Sequence, residues 1–223
     1  MISETSTKFL RQLAKNNNKV WFDAHRSEYL AAKDDFEKFV LKIIEGLTGI
    51  DSDIKDLEVK DCVYRLNRDI RFSKDKTPYK TNMGASFKRG GKKSVFSGYY
   101  FQIEPGGKSF TGGGLWMPMS PDLKKIRQEI DYCFEEFKNI LSAKKFKAQY
   151  KMLESSSDVK LTNLPRGYQQ GNEAAEFLKL KSFLGIKSIP DKAVSLSTLT
   201  ADTLKSFEAL TPLIKFLNKA LES

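Results

Sequence analysis

The chain has 223 residues, with 38 Lys or Arg, 28 Asp or Glu and a formal charge of +10; 40% of it is hydrophobic and 16 residues are phenylalanine. That is enough apolar material for a core and too much for a disordered chain. No apolar run approaches the roughly 18 residues of a membrane span, and the start, MISETSTKF, lacks the layout of a signal peptide. Cys62 and Cys133 stand alone in the sequence, which argues against a disulfide framework or zinc knuckle and for a reduced, cytoplasmic protein.

In chain order, Phe9, Leu10 and Leu13 share one face of a first helix that Ser6 or Thr7 would cap. Asn16, Asn17 and Asn18 end it, because Asn tolerates turn conformations. Tyr29, Ala32, Phe36, Val40, Ile43 and Leu47 step by three or four and predict a longer helix, ending at Gly46 and Gly49. The period then changes. Residues 57–66 are rich in strand formers, and 82–88, 94–104 and 109–116 read as further strands, separated by Gly90 and Gly91 and by Pro105, Gly106 and Gly107. Connections this short join antiparallel strands.

Ser120 is expected to cap a helix with Pro121 at its first position and a stripe of Leu123, Ile126, Ile130, Phe134, Phe137 and Leu141. A short helix around 143–153, a strand at 158–163 and a short helix at 173–181 follow. The last 23 residues are helical again on Leu204, Phe207, Leu210, Ile214, Leu217 and Leu221, with a break or kink near Thr211 because Pro212 lacks an amide hydrogen. With no internal repeat and no linker, the pattern predicts one α+β domain over residues 1–223. Its central antiparallel sheet, of four to six strands, is flanked by N- and C-terminal helices.

The charge is concentrated. Residues 60–93 hold eleven basic residues and three acids, a net of +8, which leaves +2 for the rest of the chain. Within that window, 65–80 reads RLNRDIRFSKDKTPYK. Were 65–72 one continuous strand, Arg68 would share a face with Leu66, Ile70 and Phe72, where a buried charge needs a partner. Asp69 is on the other face, so either a more distant acid pairs with Arg68 or the backbone bulges. One reading is an anion pocket: Arg65, Arg68 and Arg71 as planar forks, Lys74, Lys76 and Lys80 as point charges, Tyr79 as an orienting donor and Asp69 in support. The other is a structural network that staples the loop to the sheet.

The segment also resembles a known family. Arg65, Arg68, Asp69, Arg71 and Phe72, followed by Lys76 and Tyr79, look like the signature of an uncharacterised bacterial family, domain of unknown function 2461. Asn16 and Asn17, the run from Trp21 and Phe22 to His25 and Arg26, and Pro105 to Gly107 are similar to it. So are Gly113 to Trp116 with Pro118, Leu164 to Tyr168, and Leu178 to Phe183. An Asp-His-Pro element of the family has no counterpart here, where Gly171, Asn172 and Glu173 stand. The resemblance spans nearly the whole chain and implies no reaction.

Two residues outside the motif join the candidate site. Arg166 in LPRGY is a charged fork on a constrained turn, and His25 is included because histidine is the residue type whose charge can change near neutral pH. His25 is the only histidine, which argues against a His-based metal cluster or triad, so no metal ligands are assigned. The glycines of 106–114 match neither the phosphate-loop nor the dinucleotide pattern, and Ser73 with Lys76 lacks the companion motifs of a serine–lysine acylase. Glu58 and Lys60, after Asp51, Asp53 and Asp56, match metal-dependent nuclease sites only weakly. The function expected is therefore a pocket for a phosphate- or carboxylate-bearing ligand, with an anionic small molecule as partner. The alternatives are a nucleic-acid-binding protein, weakly a nuclease, and a structural or interaction module. No cofactor and no reaction are legible.

Overall fold

The computed structural model describes residues 1–222. Three helices open the chain: α1 (Glu4–Lys15), α2 (Lys19–Ala24) and α3 (Arg26–Thr48). A four-residue turn, α4 (Val59–Cys62), precedes the strands β1 (Met83–Phe87), β2 (Gly98–Ile103) and β3 (Ser109–Leu115). Helices α5 (Ser120–Tyr132), α6 (Phe134–Ser142), α7 (Lys144–Tyr150) and α8 (Ala175–Leu178) separate these from β4 (Phe183–Ile189), and α9 (Leu199–Glu222) closes the fold. The sheet is a fully antiparallel meander of order β1-β2-β3-β4, so the protein is α+β with helices from both ends of the chain packed on the sheet.

Register decides which side chains meet the helices. Met83, Ala85 and Phe87 oppose Ile103, Phe101 and Tyr99, and all six are buried. The same alternation puts Thr111, Gly113 and Leu115 of β3 and Phe183, Gly185 and Ile189 of β4 on that face. Helix α9 lies against it. A Cβ at Gly113 would stand 3.2 Å from Leu210 Cδ1, and one at Gly185 would stand 2.9 Å from Leu210 Cδ2, so these glycines let the helix sit directly on the sheet. Helix α3 packs beside α9, with Phe39 4.6 Å from Phe101 ring to ring. No helix among the described residues is long and apolar enough to cross a membrane.

Several local expectations are corrected. Ser3, not Ser6 or Thr7, caps α1 by accepting from the Ser6 amide, while the Ser6 hydroxyl donates to Asp35 at 2.6 Å and ties α1 to α3. Gly46 lies inside α3, against Leu204. Residues 57–66 are not a strand: Glu58 and Asp61 form a capping box around α4, and only Val63 bridges, to Ala85. The 120–142 stripe is two helices, because the backbone breaks at Cys133, and Met119 rather than Ser120 is the first cap. Residues 158–163 contribute a single bridge, Lys160 to Leu180. The fourth strand is instead 183–189, a run the sequence reading passes over. Pro212 does not interrupt α9. It lies on the exposed face of α9, as does Glu208, the residue whose carbonyl loses its helical partner.

Candidate functional site

The helices cover one face of the sheet; on the other, glycines leave a hollow. Gly84, Gly98, Gly112 and Gly114 all fall on that second face, by the same register that buries their neighbours. Among them stand Ser86, Tyr100, Gln102, Phe110, Leu184 and Ile186. With Tyr64 and Lys80 at one side, Lys88 at the end of β1 and the 116–119 segment at the rim, they enclose a cleft of about 700 Å³. Tyr100 leans across Gly84, where a Cβ would come within 2.4 Å of its hydroxyl.

An aromatic file crosses the cleft. The Lys80 ammonium sits 5.4 Å over the Tyr64 ring, Tyr64 is 6.3 Å from Tyr100, and Tyr100 is 5.5 Å from Phe110. The Tyr100 hydroxyl donates to Gln102 Oε1 at 3.0 Å, and Gln102 Nε2 donates to Glu104 at 3.0 Å, which fixes both side chains. Burial pushes the Tyr100 phenol up to about 12, so it stays protonated at neutral pH, and burial also raises Tyr64. At the rim, Trp116 is 63% exposed. Next to it Met117 holds φ at 40°, a left-handed conformation secured by its amide donating to the buried Ser182 hydroxyl at 2.9 Å. Strain of this kind gathers at ligand sites.

Lys80 and Lys88 are the cleft's cations. Burial lowers both from the ordinary lysine value, and the Arg65 charge adds to the effect at Lys80. Lys88 Nζ donates to the Ser94 carbonyl at 2.7 Å. The Lys80 side chain has neither carboxylate nor carbonyl partner among the described residues.

The rest of the basic window is largely committed elsewhere. Arg68 pairs with Asp75 at 2.5 Å and bonds Thr77; Arg71 grips Asp69 with two nitrogens at 2.9 and 2.7 Å; Lys76 donates to the Ile70 carbonyl at 3.0 Å. The partner Arg68 requires is thus Asp75, seven positions on, and the backbone there is a loop touching Tyr79 through one bridge at Asn67. Phe72, placed beside Leu66 by the strand reading, is 96% exposed on that loop. Lys60 and Arg89 pair with Glu58 and Glu222, and Lys92 bonds the Lys60 carbonyl. That leaves Arg65, Lys74, Lys80 and Lys93 without a hydrogen-bonding side-chain partner among the described residues.

The other sequence candidates lie apart from the cleft. Tyr79 is buried, its ring stacked on Phe22 at 4.0 Å and its backbone held by Asn17 on both sides. His25 joins α2 to α3, stacked on Trp21 at 4.1 Å, with Nδ1 2.8 Å from the Trp21 carbonyl oxygen. Arg166 is exposed in a loop that Asn172 ties to Asp131 of α5. Among the described residues no three His, Cys, Asp or Glu side chains gather as metal ligands. Of the sequence candidates, then, Lys80 lines the cleft and Arg65 acts on it, whereas Tyr64, Lys88, Tyr100, Gln102, Phe110 and Trp116 were missed. The alternation of Tyr100 and Gln102 with Tyr99, Phe101 and Ile103 was the available signal.

The fold and cleft define an α+β protein with an aromatic-floored cleft on the bare face of a four-stranded meander. Residues 5–216 match the model of a conserved hypothetical protein family, DUF2461, and the chain belongs to that family. No curated protein and no solved structure matches it.

Proposed function

We propose that the protein binds a small ligand combining a flat ring with a phosphate or carboxylate, on the bare face of its sheet. The observation that carries this reading is the pairing of aromatic rings with two partly buried lysines in one cleft. Its volume of about 700 Å³ falls in the range of small-molecule sites. Four strands span only about 14 Å and β1 is roughly 17 Å long, so a mononucleotide-sized ligand would lay its ring on Tyr100 or Trp116 and bring its anion to one lysine. A polyanion is disfavoured by the charge: the cleft offers Lys80 and Lys88 against Asp122, and most of the basic window is internally paired.

The test is a thermal-shift panel of nucleoside monophosphates, aromatic carboxylates, sugar phosphates and a single-stranded oligonucleotide, on wild type and Trp116→Ala. Trp116 is mostly exposed, so its loss leaves the fold intact. At a hundredfold excess over Kd, a true ligand stabilises by about 2.7 kcal/mol, or roughly 5–10 °C for a chain of this size. Ring-bearing anions should give that shift, ring-free sugar phosphates should not, and Trp116→Ala should cut it. Stabilisation by the oligonucleotide alone, falling steeply with salt, would move the assignment to nucleic acid. No shift with any compound would leave a structural module.

A further inference from the structure

We propose that Lys80 forms an imine with a carbonyl group of the ligand that enters the cleft. Other lysines around it are already committed. Lys88 shares the cleft, but its ammonium is held by the Ser94 carbonyl, an acceptor that favours the charged form. Lys76 and Lys92 are likewise held by backbone carbonyls. Lys80 alone lines the cleft with no acceptor on its nitrogen among the described residues.

Two features of its surroundings turn a lysine into a nucleophile, partial burial and the neighbouring Arg65 cation, while the Tyr64 ring beneath the nitrogen holds the side chain in the cleft and favours its charged form until a carbonyl arrives. The backbone amide of Lys80 donates to the Leu66 carbonyl at 2.8 Å, so the stem is anchored and only the side chain moves. In the step itself the Lys80 ammonium first gives one proton to water, and the amine nitrogen then attacks the carbonyl carbon. The carbonyl oxygen leaves as water with the two amine hydrogens, and a carbon–nitrogen double bond remains. No oxidant or reductant enters.

The inference rests on the binding reading for the ligand's place in the cleft, and the experiment separates the two. Wild-type protein is treated with pyridoxal 5′-phosphate, a ring, a phosphate and an aldehyde in one probe, and the imine is trapped with cyanoborohydride. Labelled lysines are located by peptide mass mapping. Lys80 should be modified about tenfold or more faster than the exposed Lys74 and Lys93, and Lys80→Arg should remove that label and no other. Pyridoxine 5′-phosphate, which keeps the ring and phosphate without the aldehyde, should protect Lys80. A parallel reaction uses glyoxylate, which has no ring. Selective glyoxylate labelling of Lys80 without protection by pyridoxine 5′-phosphate supports the nucleophile and removes the ring-binding reading. Labelling of Lys80 no faster than Lys74 and Lys93 with both aldehydes overturns the inference, whether or not ring compounds bind.

Discussion

Replacing Leu210 by alanine tests how the covered face of the sheet is built. Leu210 is fully buried, and its two methyl groups lie over Gly113 and Gly185. Leucine-to-alanine changes in cores cost about 2.7–5.0 kcal/mol, and the spread follows how much of the cavity survives. Here little can fill it. The floor is glycine backbone, the neighbouring Tyr150 ring is held by its hydroxyl on the Ser206 carbonyl, and β3 is hydrogen-bonded to β2 and β4, so it cannot rise. The loss should therefore fall in the upper part of that range, about 4 kcal/mol, a drop in Tm of roughly 8–16 °C for a chain of this length. Urea unfolding measures it, with an unchanged m-value showing that the native surface is preserved. Leu204→Ala, at a half-buried position over Gly46, should cost clearly less. A Leu210→Ala loss below about 2 kcal/mol would mean that α9 settles into the gap, and the rigid-floor argument would fail.

Other outcomes follow from single contacts. Tyr99 donates to the buried Asp51 carboxylate at 2.8 Å, while Tyr150 donates to the neutral Ser206 carbonyl at 2.7 Å. Tyr99→Phe should cost about 2–3 kcal/mol and Tyr150→Phe about 1; equal losses by chemical denaturation would contradict the charge-based ranking. Gly114 holds φ at 123°, with the Phe183 carbonyl oxygen 1.9 Å from where a Cβ would stand, so Gly114→Ala should abolish soluble folded protein. Gly106→Ala, at φ 89° in open space, should lose only about 1–2 kcal/mol; similar soluble yields for the two variants would refute the distinction. The Thr77 amide and hydroxyl, with Arg68, hold the Asp75 carboxyl at about 2, and Arg71 lowers Asp69. Both groups bind fewer protons in the closed loop than in the open one, so closure is complete above the ordinary aspartate value. It weakens as pH falls from about 4 towards 2. Hydrogen exchange of residues 66–79 should rise in that window, and flat protection down to pH 2 would refute the staple.

Elements whose apolar spacing is long and regular were readable: the stripes of α1, α3 and α9, and the hairpins marked by Gly90 and Gly91 and by Pro105 to Gly107. What escaped was decided by contacts between distant residues. β4 carries Gly185 and Lys187 in a seven-residue run, which looks like a loop until Leu210 and Tyr150 are seen packed against Gly185. Residues 57–66 have the side chains of a strand, yet a capping box between Glu58 and Asp61 winds part of them into a turn. The same holds for the site. The sequence points to a concentration of charge, but the strand that would have buried Arg68 and made it need a partner is a loop, on which Arg68 pairs with Asp75. Charge density alone does not distinguish cations paired with Asp75 and Asp69 from Lys80, which is turned to an open cleft. That distinction needed the register, which gathers four glycines and Tyr100 on the face opposite the one α9 packs against.

The order in which the strands occur has a consequence for how the protein comes into being. β1, β2 and β3 are joined by connections of ten and five residues and can pair as soon as they are made, whereas β4 must return across residues 116–182. Closing so long a loop is slow relative to a hairpin. Until it closes, β3 presents an unpaired edge. Leu184 and Ile186 arrive only with β4, so the cleft is among the last features to form. Anything that binds there recognises the finished chain and no earlier intermediate, and its whole binding energy counts toward keeping the last strand in place.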